Sequence, residues 1–250
     1  MTRVHLHPGG RLDLATGALA PRLLSRSRGG ARVALVGARA LLLAGDDVTL
    51  DVVVGAGCAL ELVEVAGTVA FDQRGGPAAS WCVRVRLGEG ARLTWHGEPF
   101  VVADGATAER RTDVDLARGA VALLRETLVL GRTGERGGAL LARTRAHLDG
   151  RPLLVEDLDL RDAALRASPA VLGTARCLDT VTLLGARPAG EEPDALHLQG
   201  PGALARSLTA DAHASGLGTT WRGWLAQLAP GRGGDEDRHP DRAGSATRPG

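Results

Sequence analysis

The sequence predicts a mainly β protein whose strands stack in a helical or solenoid-like fold, with about two helices towards the C-terminus. Three features favour this fold. Apolar and polar residues alternate in several segments, which is typical of strands with one buried face. Glycine turns separate these segments at Gly57, Gly90, Gly119 and Gly150, and residues 46–62 contain one complete unit of strand, turn and strand. Recurrence at intervals of about 30 residues is the signature of stacked repeats.

The clearest strand covers residues 81–87, and its two faces differ in chemistry. The residues predicted to face the core are Trp81, Val83, Val85 and Leu87. Those predicted to face outward are Cys82, Arg84 and Arg86. A register slip of one residue would bury the arginines and expose the valines, so the pattern fixes which face is inside. Each turn glycine suits a sharp reversal, because a residue without Cβ adopts positive φ at little cost.

The other β segments follow in chain order. Residues 1–30 are predicted to form one or two strands, and residues 33–43 a buried strand or hairpin. The repeats occupy residues 48–160 and end in a strand at 153–160. Residues 171–184 are a further apolar segment that bears threonines. Because the repeats run without a break, we predict a single β-rich domain over residues 1–229.

Two helices are predicted near the C-terminus. In residues 203–213, three apolar residues are spaced four apart, which suits one face of a helix; they are Leu204, Leu208 and Ala212. A second helical stripe consists of Trp221, Trp224, Leu225 and Leu228. Core packing is the default for such a stripe, but aromatic residues near a terminus are also candidate anchors for a partner protein. From residue 230 the chain is charged and lacks an apolar pattern, which predicts a disordered tail at 230–250.

Composition excludes several classes of function. The chain has 30 basic and 29 acidic residues, so no overall field attracts nucleic acid or anionic lipid. No apolar run approaches the roughly 18 residues that a membrane span needs. The cysteines Cys58, Cys82 and Cys177 are isolated, and no secretory leader is evident. These features predict a protein of the reducing cytoplasm.

Catalytic motifs are missing from the sequence. A hydrolase would need a nucleophile elbow, a histidine paired with a carboxylate, or a metal cluster. His5 and His7 would share one face of a strand, as a pair of metal ligands would, but two ligands alone are weak evidence for a metal site. The sequence therefore predicts no catalytic residues, no tight metal site and no tightly bound cofactor.

Carboxylates on or beside the strands are the remaining chemical signal. The candidates are Glu61, Glu64, Asp72, Glu98, Asp104, Glu126, Glu156 and Asp157. Ordinary solvated charges would account for most of them. Glu61, Glu64 and Glu126 lie within apolar strands, however, and a carboxylate in a dry core costs several kcal/mol unless it is paired or hydrated. A water-filled interior would remove that cost.

The chain resembles the urease accessory proteins called UreD, or UreH in some organisms, from about Arg22 to Trp224. Four segments produce the resemblance, namely residues 42–52 with Gly45 and Asp46, residues 68–71 beginning at Thr68, residues 98–106, and the Gly131, Arg132 and Glu135 loop. Their order and spacing together are specific. Three features depart from the family. Val69 stands where lysine is usual and Phe71 where tyrosine is usual, and only Thr133 separates the Gly-Arg and Gly-Glu pairs, where the family more often has three residues.

The resemblance implies a non-enzymatic scaffold in urease maturation. Such a protein would bind apo-urease and a UreF-type partner, which recruits a UreG-type GTPase that carries nickel. The resemblance also implies a water-filled tunnel for nickel in transit, and it makes the eight carboxylates conduit candidates. Scattered acidic residues suit a conduit, because Ni²⁺ accepts oxygen ligands and an ion in transit must be released.

Two other classes of function stay open on the sequence. One is a β-solenoid enzyme, such as a polysaccharide lyase or an acyltransferase. The other is a stand-alone binding module that docks a partner through Trp221, Trp224 and Leu225.

Overall fold

Two β-sheets face each other across one apolar core. The computed structural model describes residues 1–190 and 194–228, and the tail predicted for residues 230–250 lies outside this part of the chain. The main hydrophobic cluster takes buried side chains from both sheets, among them Leu50 and Val83 of one sheet and Leu62 and Leu93 of the other. The mainly β, stacked architecture predicted from the sequence is confirmed.

The strands divide between a seven-stranded sheet and a ten-stranded sheet. In spatial order, sheet A consists of β14 (Arg151–Asp159), β13 (Ala139–Leu148), β11 (Thr107–Leu116), β8 (Ala79–Leu87), β5 (Asp47–Val54), β1 (Thr2–Leu6) and β2 (Leu12–Ala15). Sheet B consists of β16 (Ala195–His197), β17 (Gly202–Thr209), β15 (Cys177–Leu184), β12 (Val121–Leu130), β9 (Arg92–His96), β6 (Ala59–Glu64), β4 (Gly30–Gly37) and β3 (Leu19–Ser27), with the short strands β7 (Thr68–Ala70) and β10 (Phe100–Val102) beside β12. The helices are α1 (Ala163–Arg166) and α2 (Gly218–Gln227), and short 3₁₀ turns cover Pro8–Gly10 and Ala212–Ala214.

The chain alternates between the sheets in the repeat region. It passes from β5 in sheet A to β6 in sheet B, then through β8, β9, β11, β12 and β13 in the same alternation. Neighbouring strands of this region pair in parallel in both sheets. The turn glycines stack as well, since Gly57 N donates to Glu89 O at 2.8 Å and Gly90 N to Arg118 O at 3.1 Å. Gly57 and Gly90 have φ of 67° and 63°, as expected for turns that require positive φ.

The fourth glycine turn has a different structure from the first three. Asp149 and Gly150 both have positive φ, 49° and 72°, and they join β13 to β14 as an antiparallel hairpin within sheet A. A two-residue turn with two positive φ angles matches the twist of a hairpin. The chain therefore stays in sheet A at this point, and sheet A ends with β14 as an edge strand.

The helix predicted over residues 203–213 is wrong. Residues Gly202–Thr209 form strand β17, which pairs antiparallel with β15. A spacing of four is an even number, so Leu204 and Leu208 share one face of a strand as well as one face of a helix. On the other face Ala203 and Ala205 are also buried, because α2 covers that side of the sheet.

Helix α2 packs on the outer face of sheet B. Its Trp221 and Trp224 form a second hydrophobic cluster with Leu123, Val181 and Leu183. The helical stripe predicted near the C-terminus is thus correct. In the described residues, neither helix combines the length and apolar character that crossing a membrane requires.

Two strands of sheet B, β6 and β9, are each followed by a short break near Glu64. Strands β6 and β7 are separated by residues 65–67, and β9 and β10 by residues 97–99. At the second interruption a Cβ on Gly97 would lie 2.8 Å from Arg125 O, so glycine alone allows the backbone to approach this closely. At these breaks the chain leaves the regular strand pleat, and the acidic side chains of Glu64 and Glu98 line the interior.

Candidate functional site

A band of polar side chains crosses the otherwise apolar space between the sheets. Sheet A and sheet B both contribute to it, and we call it the interior polar band; its members are Glu64, Arg110, Thr112, Glu126, Thr144, Glu156, Thr180, Thr182 and Arg206. They line one cavity with about 70 Å³ of space for water. Since one water needs about 10 to 15 Å³ measured in this way, several waters fit.

Strand register brings the band together. Across sheet B, Glu126 pairs with Thr180, which pairs with Arg206. Across sheet A, Thr144 pairs with Glu156. Cross-strand partners place their side chains on the same face of a sheet, so each sheet presents a short row of polar groups to the other.

Two ion pairs lie within the band. Arg110 Nε donates to Glu126 Oε1, and Arg206 Nη2 donates to Glu156 Oε2 at 2.5 Å. The Arg206/Glu156 pair joins sheet B to sheet A. Each pair is held by a single hydrogen bond between its side chains, whereas arginine and carboxylate can form two parallel bonds. Both pairs therefore leave hydrogen-bonding capacity unused.

Aromatic rings provide Arg110 with a second stabilising contact. Its guanidinium carbon lies 4.9 Å from the ring centroid of Phe100 and 5.6 Å from that of Trp81. The two rings meet edge to face at 6.0 Å. A cation over aromatic faces is attracted by their electron density, so Arg110 remains stabilised when its contact with Glu126 is lost.

Glu64 lies at one end of the band, at the end of β6, and lines the cavity. It accepts hydrogen bonds from Trp95 Nε1 at 3.1 Å and from Glu98 N at 3.0 Å. Burial raises the pKa of Glu64, and the charge of Arg110 together with these hydrogen bonds opposes the rise only in part. Glu64 and Glu98 also line a groove beside His96 and α2, so this end of the cavity adjoins the surface under the helix.

Two buried donors at the cavity lack protein partners. Trp81 Nε1 and Arg206 Nε make no hydrogen bond among the described residues, although both side chains line the cavity. A buried donor without an acceptor costs about 1 to 3 kcal/mol, so such groups are normally satisfied by ordered water. The chemistry of the lining therefore favours a hydrated interior.

The opposite face of sheet B carries a fully bonded ionic cluster. Asp179 is 1% exposed and accepts two hydrogen bonds from Arg125, at 3.2 and 2.7 Å. It also accepts from Thr127 Oγ1 at 3.1 Å and from Ser215 Oγ at 2.5 Å. We call Arg125, Thr127, Asp179 and Ser215 the Asp179 cluster. Through Ser215 the cluster fixes the segment that leads into α2.

His96 borders this cluster. Burial and the charge of Arg125 lower the pKa of His96, so the imidazole is uncharged at neutral pH. An uncharged ring nitrogen can accept a hydrogen bond from Arg125, whose Nη1 lies 3.1 Å from His96 Nε2. The ring also packs edge to face on Trp221 at 5.1 Å.

The carboxylates named from the sequence separate into two groups. Four of them line the cavity, namely Glu64, Glu98, Glu126 and Glu156. The other four lie elsewhere: Glu61 pairs with Arg32, Asp157 pairs with Arg145, Asp72 accepts from Arg74 N, and Asp104 accepts from Arg136 N and Gly137 N. Sequence reasoning therefore found the acidic part of the band but added acids that face outward or close loops.

The basic and hydroxyl members of the band were missed. Strand β11 contained a signal for two of them, because Val114 and Leu116 face the core and alternation then turns Arg110 and Thr112 inward as well. Sequence reasoning did not extend the alternation to these polar residues.

Among the described residues, no group of three or more histidine, cysteine, aspartate or glutamate side chains could hold a metal ion. His5 lies 2.7 Å from Asp51, and His7 lies 2.8 Å from Asp13, so each histidine has a carboxylate partner. The band can offer a cation single carboxylate oxygens and water, which are weak and exchangeable ligands.

Comparison with known proteins identifies the family. The family model described as UreD urease accessory protein matches residues 19–230. The chain belongs to the UreD family. A UreD protein of Streptomyces griseus is 52% identical over 217 residues, which cover 84% of this chain and 85% of that protein. UreD proteins of Saccharopolyspora erythraea and Frankia alni are 41% and 39% identical, over 78% and 72% of this chain and 79% and 69% of their own lengths.

The residues on which the UreD resemblance was based close turns at the rim of the sheets. Asp46 accepts from Arg39 at 3.0 Å and from Leu43 N at 3.1 Å, just before β5. Gly45 N donates to Pro77 O at 3.0 Å, and Thr68 begins β7. These contacts order the segments that enter the strands.

The loop with Gly131, Arg132 and Glu135, another of the four segments that resemble UreD, is closed by its own hydrogen bonds. Glu135 accepts from the backbone and the guanidinium of Arg132, and these hydrogen bonds lower its pKa to about 2. Gly131 has φ of 81°, and a Cβ there would lie 2.8 Å from Gly137 N. The segment with Gly45 and Asp46 and the loop with Glu135 thus both have a structural explanation in this chain.

Two aromatic residues suggested as partner anchors are already covered. Trp221 is 9% exposed and Trp224 is 2% exposed, because both pack against the outer face of sheet B. Neither indole is available to a partner in this structure, which corrects the interpretation of the pair as surface anchors. Leu225, at the edge of the same helical stripe, is 37% exposed.

Proposed function

We propose that this chain is a urease maturation scaffold that assists the delivery of nickel to apo-urease. In this proposal the interior polar band is a hydrated passage for nickel in transit. The chain binds apo-urease and a UreF-type protein, and through the latter it meets a UreG-type GTPase that supplies nickel. It works in the cytoplasm and catalyses no reaction itself.

The charge balance of the band is the observation that supports this proposal best. Four acidic residues, Glu64, Glu98, Glu126 and Glu156, and three arginines, Arg110, Arg125 and Arg206, line the cavity. The lining is therefore weakly negative when all seven groups are charged, and burial raises the pKa of Glu64, which favours its uncharged form. A passage must bind an ion well enough to admit it and weakly enough to release it.

The chemistry of the ligands also fits nickel. Divalent nickel accepts oxygen ligands, and its hydrated form can exchange water for one carboxylate oxygen at a time. A cage of cysteines and histidines would instead retain the ion. Family membership supports the urease connection, because the relatives are urease accessory proteins.

The test measures nickel in urease purified from cells that express the urease operon at fixed nickel supply. Deletion of this gene is expected to leave urease largely without nickel. Glu126→Gln, which removes one charge from the cavity, is expected to lower nickel loading clearly, because it removes an oxygen ligand and leaves Arg110 in excess.

Asp157→Asn is the matched control, since Asp157 faces outward from the same strand as Glu156 and pairs with Arg145. Full nickel loading is expected with this variant. If deletion of the gene leaves urease fully loaded, the proposed function is wrong. If Asp157→Asn and Glu126→Gln lower loading equally, the interior position has no special role and the passage is wrong.

A further inference from the structure

We propose that the Arg206/Glu156 pair is a gate, which closes the interior cavity where the two sheets end. The gate itself follows from the geometry, and only the identity of the passing ion rests on the proposed function. No other residue is required to move, because the closed state is made by two side chains.

The position of the pair supports a gate. Glu156 lies on β14, the edge strand of sheet A, and Arg206 lies on β17, which only the three-residue strand β16 separates from the edge of sheet B. Their side chains are 29% and 30% exposed, whereas Thr180 and Thr182 behind them are 9% exposed. The pair thus lies between the cavity and the solvent.

The bonding of the pair allows it to open. One hydrogen bond joins the two side chains, and Arg206 Nε has no partner among the described residues. By contrast, the backbone of Glu156 is fixed, because its carbonyl accepts from Arg145 Nη1 at 2.7 Å. Rotation of the Arg206 side chain therefore breaks one bond, exposes the carboxylate and leaves the strands in place.

Competition for the carboxylate explains how a gate can also release an ion. When Arg206 turns away, Glu156 offers a free carboxylate oxygen to a hydrated divalent cation. When Arg206 returns, its guanidinium competes for the same oxygen and lowers the affinity for the cation. Charge repulsion between guanidinium and cation then favours movement of the ion away from the gate.

A cysteine reporter tests the gate without nickel or urease. Thr180 is the cross-strand partner of Arg206 and lies behind the pair, so Thr180→Cys places a thiol inside the cavity. Cys82, which is partly exposed, is changed to serine, while Cys58 and Cys177 are buried. The rate of labelling by a small cationic methanethiosulfonate reagent is measured on the full chain.

Opening the gate is expected to speed the labelling. Arg206→Met removes the charge and keeps most of the side-chain volume, and Glu156→Gln removes the charge from the other partner. Each is expected to raise the labelling rate about tenfold, which corresponds to about 1.4 kcal/mol. Arg118→Ala is the control, because Arg118 is 87% exposed and does not line the cavity, and it should leave the rate unchanged.

Three outcomes would overturn the gate. Unchanged labelling in both Arg206→Met and Glu156→Gln shows that the pair closes nothing. If a further variant, Arg206→Ala, speeds the labelling while Arg206→Met and Glu156→Gln do not, side-chain bulk and not the ion pair closes the cavity. An equal increase with Arg118→Ala shows a general loosening of the fold. Because none of these measurements involves urease, a failed nickel-loading experiment with an intact labelling response would contradict the proposed function and leave the gate standing.

Discussion

The two faces of sheet B differ in how fully their charged side chains are hydrogen-bonded. On the outer face, Asp179 accepts four side-chain hydrogen bonds and is 1% exposed. On the inner face, Glu126 and Arg206 each form a single side-chain hydrogen bond, with Arg110 and Glu156 of sheet A respectively. The same strands build both sites, because Arg125 and Glu126 are neighbours on β12 and their side chains point to opposite faces.

The difference shows which charges hold the fold and which are free to exchange. A buried carboxylate with every lone pair satisfied is fixed, since losing any donor leaves a charge without compensation. A carboxylate with one bond beside a water-filled space can change partners at low cost. We therefore expect substitutions in the Asp179 cluster to change stability, and substitutions in the interior polar band to change ion passage.

The largest expected effect is that of Asp179→Asn. The change removes the charge that balances Arg125, whose side chain is only 16% exposed, and weakens the tie to Ser215. Breaking a buried pair by removing one partner costs about 3 to 5 kcal/mol, so we expect a loss of about 3 kcal/mol in the free energy of unfolding. Urea denaturation of the full chain measures it.

Asp115→Asn is the matched control for that experiment. Asp115 is 64% exposed and lies 3.3 Å from His147 on the outer face of sheet A. An exposed pair contributes little, so the change should stay within about 0.5 kcal/mol. A loss below about 1 kcal/mol for Asp179→Asn would contradict the view that the Asp179 cluster is a structural lock.

A smaller effect distinguishes two threonines of similar burial. Thr127 is 7% exposed and its hydroxyl donates to Asp179, whereas Thr180 is 9% exposed, lines the cavity, and makes no side-chain hydrogen bond to the described residues. Thr127→Val should cost about 1.5 to 3 kcal/mol, because a hydrogen bond to a charged group is lost. Thr180→Val should cost less than about 1 kcal/mol, since it removes no protein hydrogen bond.

Each threonine variant serves as the control for the other, because the substitution is the same and the strands are adjacent. Thermal unfolding of both variants beside the wild type measures the difference. Equal destabilisation would mean that the cavity hydroxyl is as firmly bonded as the outer one, and the contrast between the faces would be lost.

Sequence reasoning succeeded where one physical signal dominated. Alternation fixed the facing of residues 81–87, because valines and arginines occupy opposite faces of one strand. The glycine turns located the stacked units, because positive φ is hard to achieve without glycine. The prediction failed at residues 203–213, where a spacing of four satisfies both a strand and a helix and α2 buries the second face of the strand.

Only the acidic residues of the interior polar band could be predicted from the sequence, and its arginines could not. Glu64 and Glu126 stood out because each interrupts an apolar strand, and Glu156 was one of several acids on its strand. Arg110 and Arg206 did not stand out, since arginine supplies every basic residue of this chain except histidine and is abundant on the surface. Which arginine meets which glutamate depends on contacts between the two sheets, and no local pattern contains that information.

The smallest expected effect is a difference in pH dependence between the two faces. Burial alone would raise the pKa of Asp179, but the hydrogen bonds from Arg125, Ser215 and Thr127 outweigh it and lower the pKa below its usual 3.8. Asp179 therefore stabilises the fold above pH 3.8, and this contribution is lost as the pH falls through the lowered pKa. For Glu64, burial prevails and raises the pKa above its usual 4.5.

The contribution of Glu64 to the pH dependence of stability has the opposite sign. Between pH 4.5 and its raised pKa, the folded state binds more protons at Glu64 than the unfolded state does, so stability falls as the pH rises. The Glu64→Gln variant should therefore gain stability relative to the wild type as the pH increases from 4.5 towards neutrality, whereas Asp179→Asn should lose relative stability as the pH rises through 3.8. Urea unfolding from below pH 3.8 to neutrality measures how the stability of each variant, relative to the wild type, changes with pH. The slope is decisive, because lost hydrogen bonds shift each variant by an amount independent of pH. Parallel curves for Glu64→Gln and the wild type would mean that the carboxylate is as well solvated as in the unfolded chain, and that Glu64 lies in open water at the mouth of the cavity.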